Sequence, residues 1–509
     1  MLNICSELFE SWNENKISYC HWKSNEHLKE GLMGETDLDV YVIPNHKQSV
    51  EILLSKLNFI KFTPQKGARY PMVDEWIGFD FQTGKLVHIH LHYQIITGTK
   101  YVKEYIFPLD QLLISKRILD NATQVYIASP EVEIIILYSR IVLKAKDKKN
   151  IIVDADYINE IEYLKKRIND AELSKMCKGI TEVDSDKLYG EIKKKNIESV
   201  NWYELYIIIN KWLLRFKKHN NLSAKIRHNY FYVRNLKNYI LNNKMNLRCI
   251  KQKTLPHKGI SICFVGADGC GKSTLCRDVQ KWLNWKIEAS RFYLGSGDHY
   301  NSILKKLLAL AKKRSVQYKK KSNLENPKQK GNDQHIPHNT KQSTKTRILK
   351  YCYNMLESYY LKQIAARSFH EIKVSVKYMN KGAIALYDRF PQIQFEGMYD
   401  GPKISSRCFG CKSSFVKLMS KLEFNALKKA QNYQPTLLFK LNLSPEESVR
   451  RKPDHTIEEV SPKSKITSKL VFDKSTVVDI DASQSYQDEL LQIKRYIWEE
   501  IIKNNDYRI

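Results

Sequence analysis

A glycine-rich loop between an apolar segment and a helical segment constrains the fold of this chain more than any other feature. Residues 259–265 are apolar and β-prone, and residues 274–285 repeat apolar side chains with helical spacing. Between them stands the loop that we call the P-loop, Gly266-Ala267-Asp268-Gly269-Cys270-Gly271-Lys272-Ser273. A strand, such a loop and a helix in this order form the P-loop motif. The sequence therefore predicts an α/β domain over residues 258–509, with a parallel sheet flanked by helices.

The residue types in the P-loop are those that a polyphosphate requires. Glycines let main-chain N–H groups approach an anion without obstruction from Cβ, and the start of the following helix favours negative charge. Lys272 is predicted to neutralise the β- and γ-phosphates, and the Ser273 hydroxyl to bind Mg²⁺. We therefore expect ATP and Mg²⁺ as cofactors. The predicted ATP contacts are Gly266, Ala267, Asp268, Gly269, Cys270, Gly271, Lys272, Ser273 and Thr274.

Three later apolar segments are predicted to complete the sheet. They cover residues 383–390, 436–443 and 477–482. The first ends in Asp388 and Arg389, which places a carboxylate and a guanidinium at the carboxyl edge of the sheet, where ligands bind. After the second, Ser444 is a predicted N-cap before a helix that carries Arg450 and Arg451.

An acidic residue at Asp268 and a later strand ending in Asp-Arg-aromatic resemble the thymidylate kinases and their close relatives. The resemblance implies transfer of the ATP γ-phosphoryl group to a nucleoside monophosphate, with dTMP as the best single acceptor. It implies that Asp388 helps to organise Mg²⁺ or the attacking phosphate, that Arg389 holds the acceptor phosphate and that Asp268 faces the acceptor. It also implies a lid, from which Arg450 and Arg451 would reach the transferring group.

The acceptor is less constrained than the reaction. Four aromatic residues are candidates to stack on a base, although such residues are more often part of a core: Phe292, Tyr293, Tyr359 and Phe369. A sugar phosphate or glycan precursor is an alternative acceptor. The formal net charge of +29 leaves a nucleic-acid-binding ATPase as another alternative, which is not favoured. A homodimer stays open.

Residues 1–105 are predicted to form a small α/β domain with a second candidate site. Asp37 and Asp39 stand two apart on a predicted strand, so that both carboxylates point to one face and suit a divalent metal. This pair resembles that of the nucleotidyltransferase superfamily, in which it holds the catalytic metals. Lys23 and Ser24 occupy the place of the usual glycine-rich loop, and Asp80 is the candidate third carboxylate.

A predicted β-hairpin, residues 76–81 and 86–95, follows in the same domain. His88, His90 and His92 share one face of its second strand, where they are expected to pack or to support metal ligands.

The remaining sequence predicts three further regions. Residues 106–250 have helical spacing and form a helical middle domain, and residues 251–257 form a linker. Residues 311–347 are rich in Lys, Asn, Gln and Ser without an apolar period, which predicts a flexible insertion. Scattered cysteines and the lack of a signal or membrane-spanning segment predict a cytoplasmic location. Cys408 and Cys411 lack the two further ligands of a zinc site.

Overall fold

The computed structural model of the protein describes residues 1–244, 248–295, 310 and 344–505. The chain divides into two compact units, Met1–Pro256 with Trp498–Ile509 and His257–Ile497. The first unit includes both residues 1–105 and residues 106–250, and the boundary between these two regions stays a prediction. Of the predicted insertion, residues 311–343 lie outside the described residues, and residues 344–347 begin a helix.

The first unit contains a seven-stranded mixed sheet and a two-stranded sheet. The strands are β1 Tyr19–His21, β2 Leu38–Val42, β3 Ile60–Phe62, β4 Val73–Phe79, β5 Leu86–His92, β6 Ile96–Thr97, β7 Tyr105–Ile106, β8 Ile118–Leu119 and β9 Tyr126–Ile127. The larger sheet has the order β3-β4-β5-β2-β1-β9-β8. The antiparallel pair β4 and β5 confirms the predicted hairpin, and β2 runs parallel to β5.

Helices cover this sheet and build most of the remaining first unit. They are α1 Asn3–Glu14, α2 Leu28–Leu32, α3 Lys47–Lys56, α4 Asp110–Ser115, α5 Pro130–Lys144, α6 Ala155–Lys165, α7 Asp170–Ile180, α8 Ser185–Lys193, α9 Trp202–Leu213 and α10 Asn221–Lys244. Helix α5 begins at Pro130 and is capped by Ser129, whose hydroxyl accepts from Val132 N. Its residues from Glu131 to Leu143 are all buried, as expected of a helix that is apolar on most sides.

The second unit is built on a five-stranded, fully parallel sheet of order β11-β12-β10-β13-β14. Its strands are β10 Ser261–Gly266, β11 Ala289–Tyr293, β12 Ile384–Asp388, β13 Leu437–Asn442 and β14 Thr476–Asp481. The parallel sheet confirms the α/β prediction and is compatible with a P-loop fold. Strand β10 is central, so its carboxyl end, where the P-loop begins, has strands on both sides.

The helices of the second unit alternate with these strands along the chain. They are α11 Lys272–Leu283, α12 Thr344–Met379, α13 Ile404–Arg407, α14 Ser414–Ala430, α15 Pro445–Arg451, α16 Ile457–Lys469 and α17 Tyr486–Asn505, whose last residues belong to the first unit. Ser444 caps α15 as predicted, since its hydroxyl accepts from Glu447 N at 3.2 Å. None of the helices in the described residues has the length and apolar character that crossing a membrane requires.

Candidate active site

The P-loop leaves the carboxyl end of β10 and leads into α11. Gly269 and Gly271 have φ angles of +92° and +90°, in the left-handed region that side chains disfavour. A Cβ atom on Gly269 would also lie 2.6 Å from the main-chain oxygen of Ser448. The backbone of the loop is therefore shaped by its glycines, and Gly271 is the N-cap residue of α11.

Lys272 turns its side chain back into the P-loop. Its Nζ donates to the main-chain oxygens of Gly266 at 2.9 Å and Ala267 at 2.7 Å, and the residue is 6% exposed. The ammonium group thus lies inside the curve of the loop, among main-chain atoms rather than in solvent. This position would bring a positive charge against an anion that the loop encloses.

Ser273 and Asp388 meet where β10 and β12 end. The parallel register of these strands pairs Phe264 with Asp388, and the Ser273 hydroxyl donates to Asp388 Oδ2 at 2.7 Å. Asp388 is 1% exposed, and its Oδ1 has no hydrogen-bond partner within the described ranges. A hydroxyl beside a buried carboxylate with a free oxygen fits a hard cation such as Mg²⁺. These two predicted metal residues are therefore adjacent.

Asp268 is held by two cations on the other side of the loop. Its carboxylate accepts from Arg389 Nη2 at 3.0 Å and from Lys463 Nζ at 2.5 Å. Burial alone would raise the pKa of the Asp268 carboxyl, but Lys463, Arg389 and Lys272 outweigh burial and hold this pKa below its usual range. Arg389 Nη1 also lies 4.0 Å from Asp400. The structure thus brings together the predicted residues Asp268, Lys272 and Arg389.

Lys463 was not among the residues singled out from the sequence. It lies on α16, a helix capped by Thr456 and Glu459, and its pairing with Asp268 spans 195 residues. The stretch from Ser461 to Lys469 contains three lysines, at positions 463, 465 and 469, so composition does not distinguish the one that reaches the loop. Only the fold selects it.

The predicted lid arginines lie on α15 and pair locally. Arg450 and Arg451 both donate to Glu447, at 2.8 and 2.9 Å, and Arg451 also donates to the main-chain oxygen of Ala482. The side chain of Arg450 is 79% exposed. In this structure the cation that α15 and α16 bring to the loop is therefore Lys463, and the role of the two arginines stays a prediction.

The aromatic candidates for base stacking differ in how deeply they are buried. Phe292 is fully buried and packs against Tyr378 and Tyr387, which makes it a core residue and excludes it as a stacking surface. Phe369 lies beside Tyr433, whereas Tyr359 is 39% exposed. For Phe292 the structure therefore favours the more common alternative, that such an aromatic residue belongs to the core.

A second group of ionisable side chains, which we call the histidine cluster, lies on the first unit's sheet. Asp37 Oδ1 and Glu75 Oε2 each lie 2.7 Å from a ring nitrogen of His88. Asp39 Oδ1 lies 3.3 Å from His90 Nδ1 and 3.4 Å from His92 Nε2. Two sets of residues have the spacing of metal ligands, Asp37 with His88 and His90, and Asp39 with His90 and His92.

Glu75, and not Asp80, is the third carboxylate of this cluster. Asp80 accepts from the main-chain N–H and the hydroxyl of Thr83, and so stabilises the hairpin turn. Glu75 stands on β4, where the register places it directly opposite His90. The prediction for Asp80 is wrong because a carboxylate at a turn satisfies local N–H groups. In the described residues, Cys408 and Cys411 belong to no metal-ligand group.

Comparisons with known proteins agree with a nucleotide site without fixing a family. No profile of a known protein family matches the chain. The chain is 27% identical over 249 residues to the uncharacterized ATP-binding protein YghR of Escherichia coli K12, covering 46% of this chain and 86% of that protein. It is 23% identical over 233 residues to the uncharacterized ATP-binding protein YghS of the same strain, covering 45% of this chain and 89% of YghS.

Proposed function

We propose that the chain is an ATP-dependent phosphotransferase that moves the γ-phosphoryl group to the phosphate of a nucleoside monophosphate, with dTMP as the best single candidate. The observation that carries this proposal is the convergence of three groups at one sheet edge. They are Lys272 inside the P-loop, the hydrogen-bonded pair of Ser273 and Asp388, and Arg389 beside Asp268. The ATP-binding names of YghR and YghS support the donor.

The proposed donor site uses main-chain and side-chain groups in different roles. Main-chain N–H groups of the P-loop and of the start of α11 would surround the β- and γ-phosphates. Lys272 would exchange its bonds to Gly266 O and Ala267 O for phosphate oxygens. Ser273 and Asp388 would hold Mg²⁺, which supplies charge neutralisation at the same oxygens.

The proposed acceptor site centres on Arg389. In the reaction, an oxygen of the acceptor phosphate bonds to the γ-phosphorus, the bond from that phosphorus to the β–γ bridging oxygen breaks, and ADP leaves. A guanidinium can hold two oxygens of the acceptor phosphate in a fixed orientation. Arg389 has φ +75°, a rare conformation for a non-glycine residue, and its side chain donates to Asp268.

Lys463 is the proposed source of positive charge from outside the P-loop. The loop contributes no basic residue before Lys272, so charge that develops during transfer needs further compensation. Lys463 already lies 2.5 Å from Asp268. Arg450 and Arg451 would take part only if lid closure released them from Glu447.

An acceptor screen tests this proposal. The full chain would be incubated with ATP labelled in the γ-phosphate, Mg²⁺, and separate nucleoside monophosphates, sugar phosphates and nucleic acids. Label in dTMP, giving the diphosphate, is the expected result. Label in a sugar phosphate would keep the phosphotransferase and replace the acceptor, whereas label only in free phosphate, stimulated by nucleic acid, would contradict the transferase.

A further inference from the structure

A cavity of about 260 Å³ lies within the first unit, next to the histidine cluster. Its walls carry four cations, Lys23, Lys103, Arg140 and Lys144. The remaining walls include two carboxylates, two histidines and the aromatic rings of Trp22 and Tyr70. A volume of this size holds a small organic molecule rather than one or two waters.

The two carboxylates of the cavity already have positively charged or hydrogen-bonding partners. Asp39 forms a 2.8 Å salt bridge with Lys23 Nζ. Glu75 accepts from His88 at 2.7 Å and pairs with His90 at 2.9 Å, and Lys253 lies 3.6 Å away. The cavity therefore has no carboxylate left to balance its other cations.

The other three basic residues of the cavity are weakly compensated. Arg140 is 7% exposed and forms a long salt bridge of 3.8 Å with Glu160, but its Nη1 has no hydrogen-bond partner in the part of the chain that the structure describes. Within the same residues, Lys103 and Lys144 form no salt bridge; Lys144 Nζ contacts the Tyr157 hydroxyl at 3.3 Å. Burial and neighbouring cations lower the pKa of Lys103 to about 8 and that of Lys144 to about 6, so Lys144 is protonated at neutral pH only when a bound anion raises its pKa again.

Basic groups that are largely shielded from water and weakly paired are costly for a folded protein, so three of them on one cavity point to an anion that completes them. The Nη1 of Arg140, which has no hydrogen-bond partner among the described residues, and two nearby lysine side chains match the several oxygens of a phosphate group. The rings of Trp22 and Tyr70 provide apolar walls for an organic part.

We propose that this cavity binds a phosphate ester, and that Lys103, Arg140 and Lys144 supply its charge without a divalent metal. The site is separate from the P-loop and independent of the phosphotransferase proposal. A phosphate ester that binds only together with a divalent metal at Asp39, His90 and His92 would be the contrary outcome.

Calorimetric titrations of the full chain in EDTA test the proposal with three probes: ribose 5-phosphate, pyrophosphate and ATP. We expect at least one probe to bind the wild type and to bind Lys272→Met, which alters the P-loop, with the same affinity. The same probe should bind Lys144→Met and Arg140→Gln roughly 10-fold more weakly, which corresponds to one lost charge-assisted hydrogen bond.

Lys116→Met is the matched charge control, because Lys116 pairs with Glu172 and does not line the cavity. It should bind the probe as the wild type does. Thermal unfolding would establish that each variant is folded. If Arg140→Gln is not folded, the result for Lys144→Met alone tests the proposal. The proposal is overturned if no probe binds in EDTA, if binding requires Mn²⁺, or if Lys144→Met binds as tightly as the wild type.

Discussion

The Ser273 hydroxyl donates a 2.7 Å hydrogen bond to Asp388 Oδ2, across 115 residues of sequence. The bond exists because β10 and β12 are neighbours in the parallel sheet and end at the same edge. It leaves Asp388 Oδ1 buried and, among the described residues, without a hydrogen-bond partner. A buried carboxylate oxygen without a partner destabilises the folded protein, whereas a bound cation would stabilise it.

Asp388→Asn should therefore separate activity from stability. The amide removes a buried negative charge at constant shape, so we expect the midpoint of thermal unfolding without ligands to be unchanged or higher. Phosphotransfer should fall roughly 100-fold, as for the loss of a preorganised electrostatic group. Initial rates over a Mg²⁺ series, with melting curves on the same samples, measure both. A variant with full activity would exclude a metal role for Asp388.

Gly269→Ala and Gly271→Ala test the shape of the P-loop. Both positions have positive φ, which costs alanine about 1 kcal/mol. Only Gly269 adds a clash, 2.6 Å from Ser448 O, whereas Cβ on Gly271 meets nothing closer than 4.0 Å. The unfolding midpoint should therefore fall further in Gly269→Ala than in Gly271→Ala. Equal midpoints would show that the backbone near Ser448 moves to make room for the added Cβ.

The variants Lys463→Met and Arg450→Met test which of two cations, Lys463 on α16 or Arg450 on α15, contributes more to phosphotransfer. Lys463 contacts Asp268, whereas Arg450 is largely exposed and pairs with Glu447. We expect kcat/KM for phosphotransfer to fall roughly 10- to 100-fold in Lys463→Met and less in Arg450→Met. A larger loss in Arg450→Met would instead show that the lid rearranges to bring this arginine to the phosphates.

Glu489 predicts a pH-dependent stability. The residue is 3% exposed at the start of α17, and burial raises the pKa of its carboxyl to about 7 despite Arg451. Between its ordinary pKa of about 4.3 and this value, the folded state binds the extra proton, so the free energy of unfolding falls as pH rises. Glu489→Gln removes this pH-dependent loss of stability. Its unfolding midpoint relative to wild type should be higher at pH 8 than at pH 5; an equal difference at both values would contradict the shift.

The sequence predicted the features that depend on local patterns. The apolar run before the P-loop, the Ser444 cap and the hairpin of β4 and β5 all follow from neighbouring residues, and the structure confirms them. Contacts between distant segments were not predictable in this way. Lys463 meets Asp268 only after α16 packs near the sheet. No local sequence feature distinguishes this lysine from its neighbours.

The same limit explains the exchange of Asp80 for Glu75. Both are carboxylates near the histidine strand in sequence, but the hairpin register places Glu75 opposite His90 and leaves Asp80 at the turn. A register is set by side-chain burial along whole strands, so a pattern of single residues does not determine it.

Equilibrium binding of Mg²⁺·ATP to wild type, Lys272→Met and Lys281→Met tests the central claim most directly. Lys272 lies inside the P-loop, whereas Lys281 is an exposed lysine on the same helix. We expect the dissociation constant to rise roughly 10- to 100-fold in Lys272→Met, because a charge-assisted contact to phosphate is lost, and to stay unchanged in Lys281→Met. Equal affinity in all three proteins would contradict a nucleotide site at this loop.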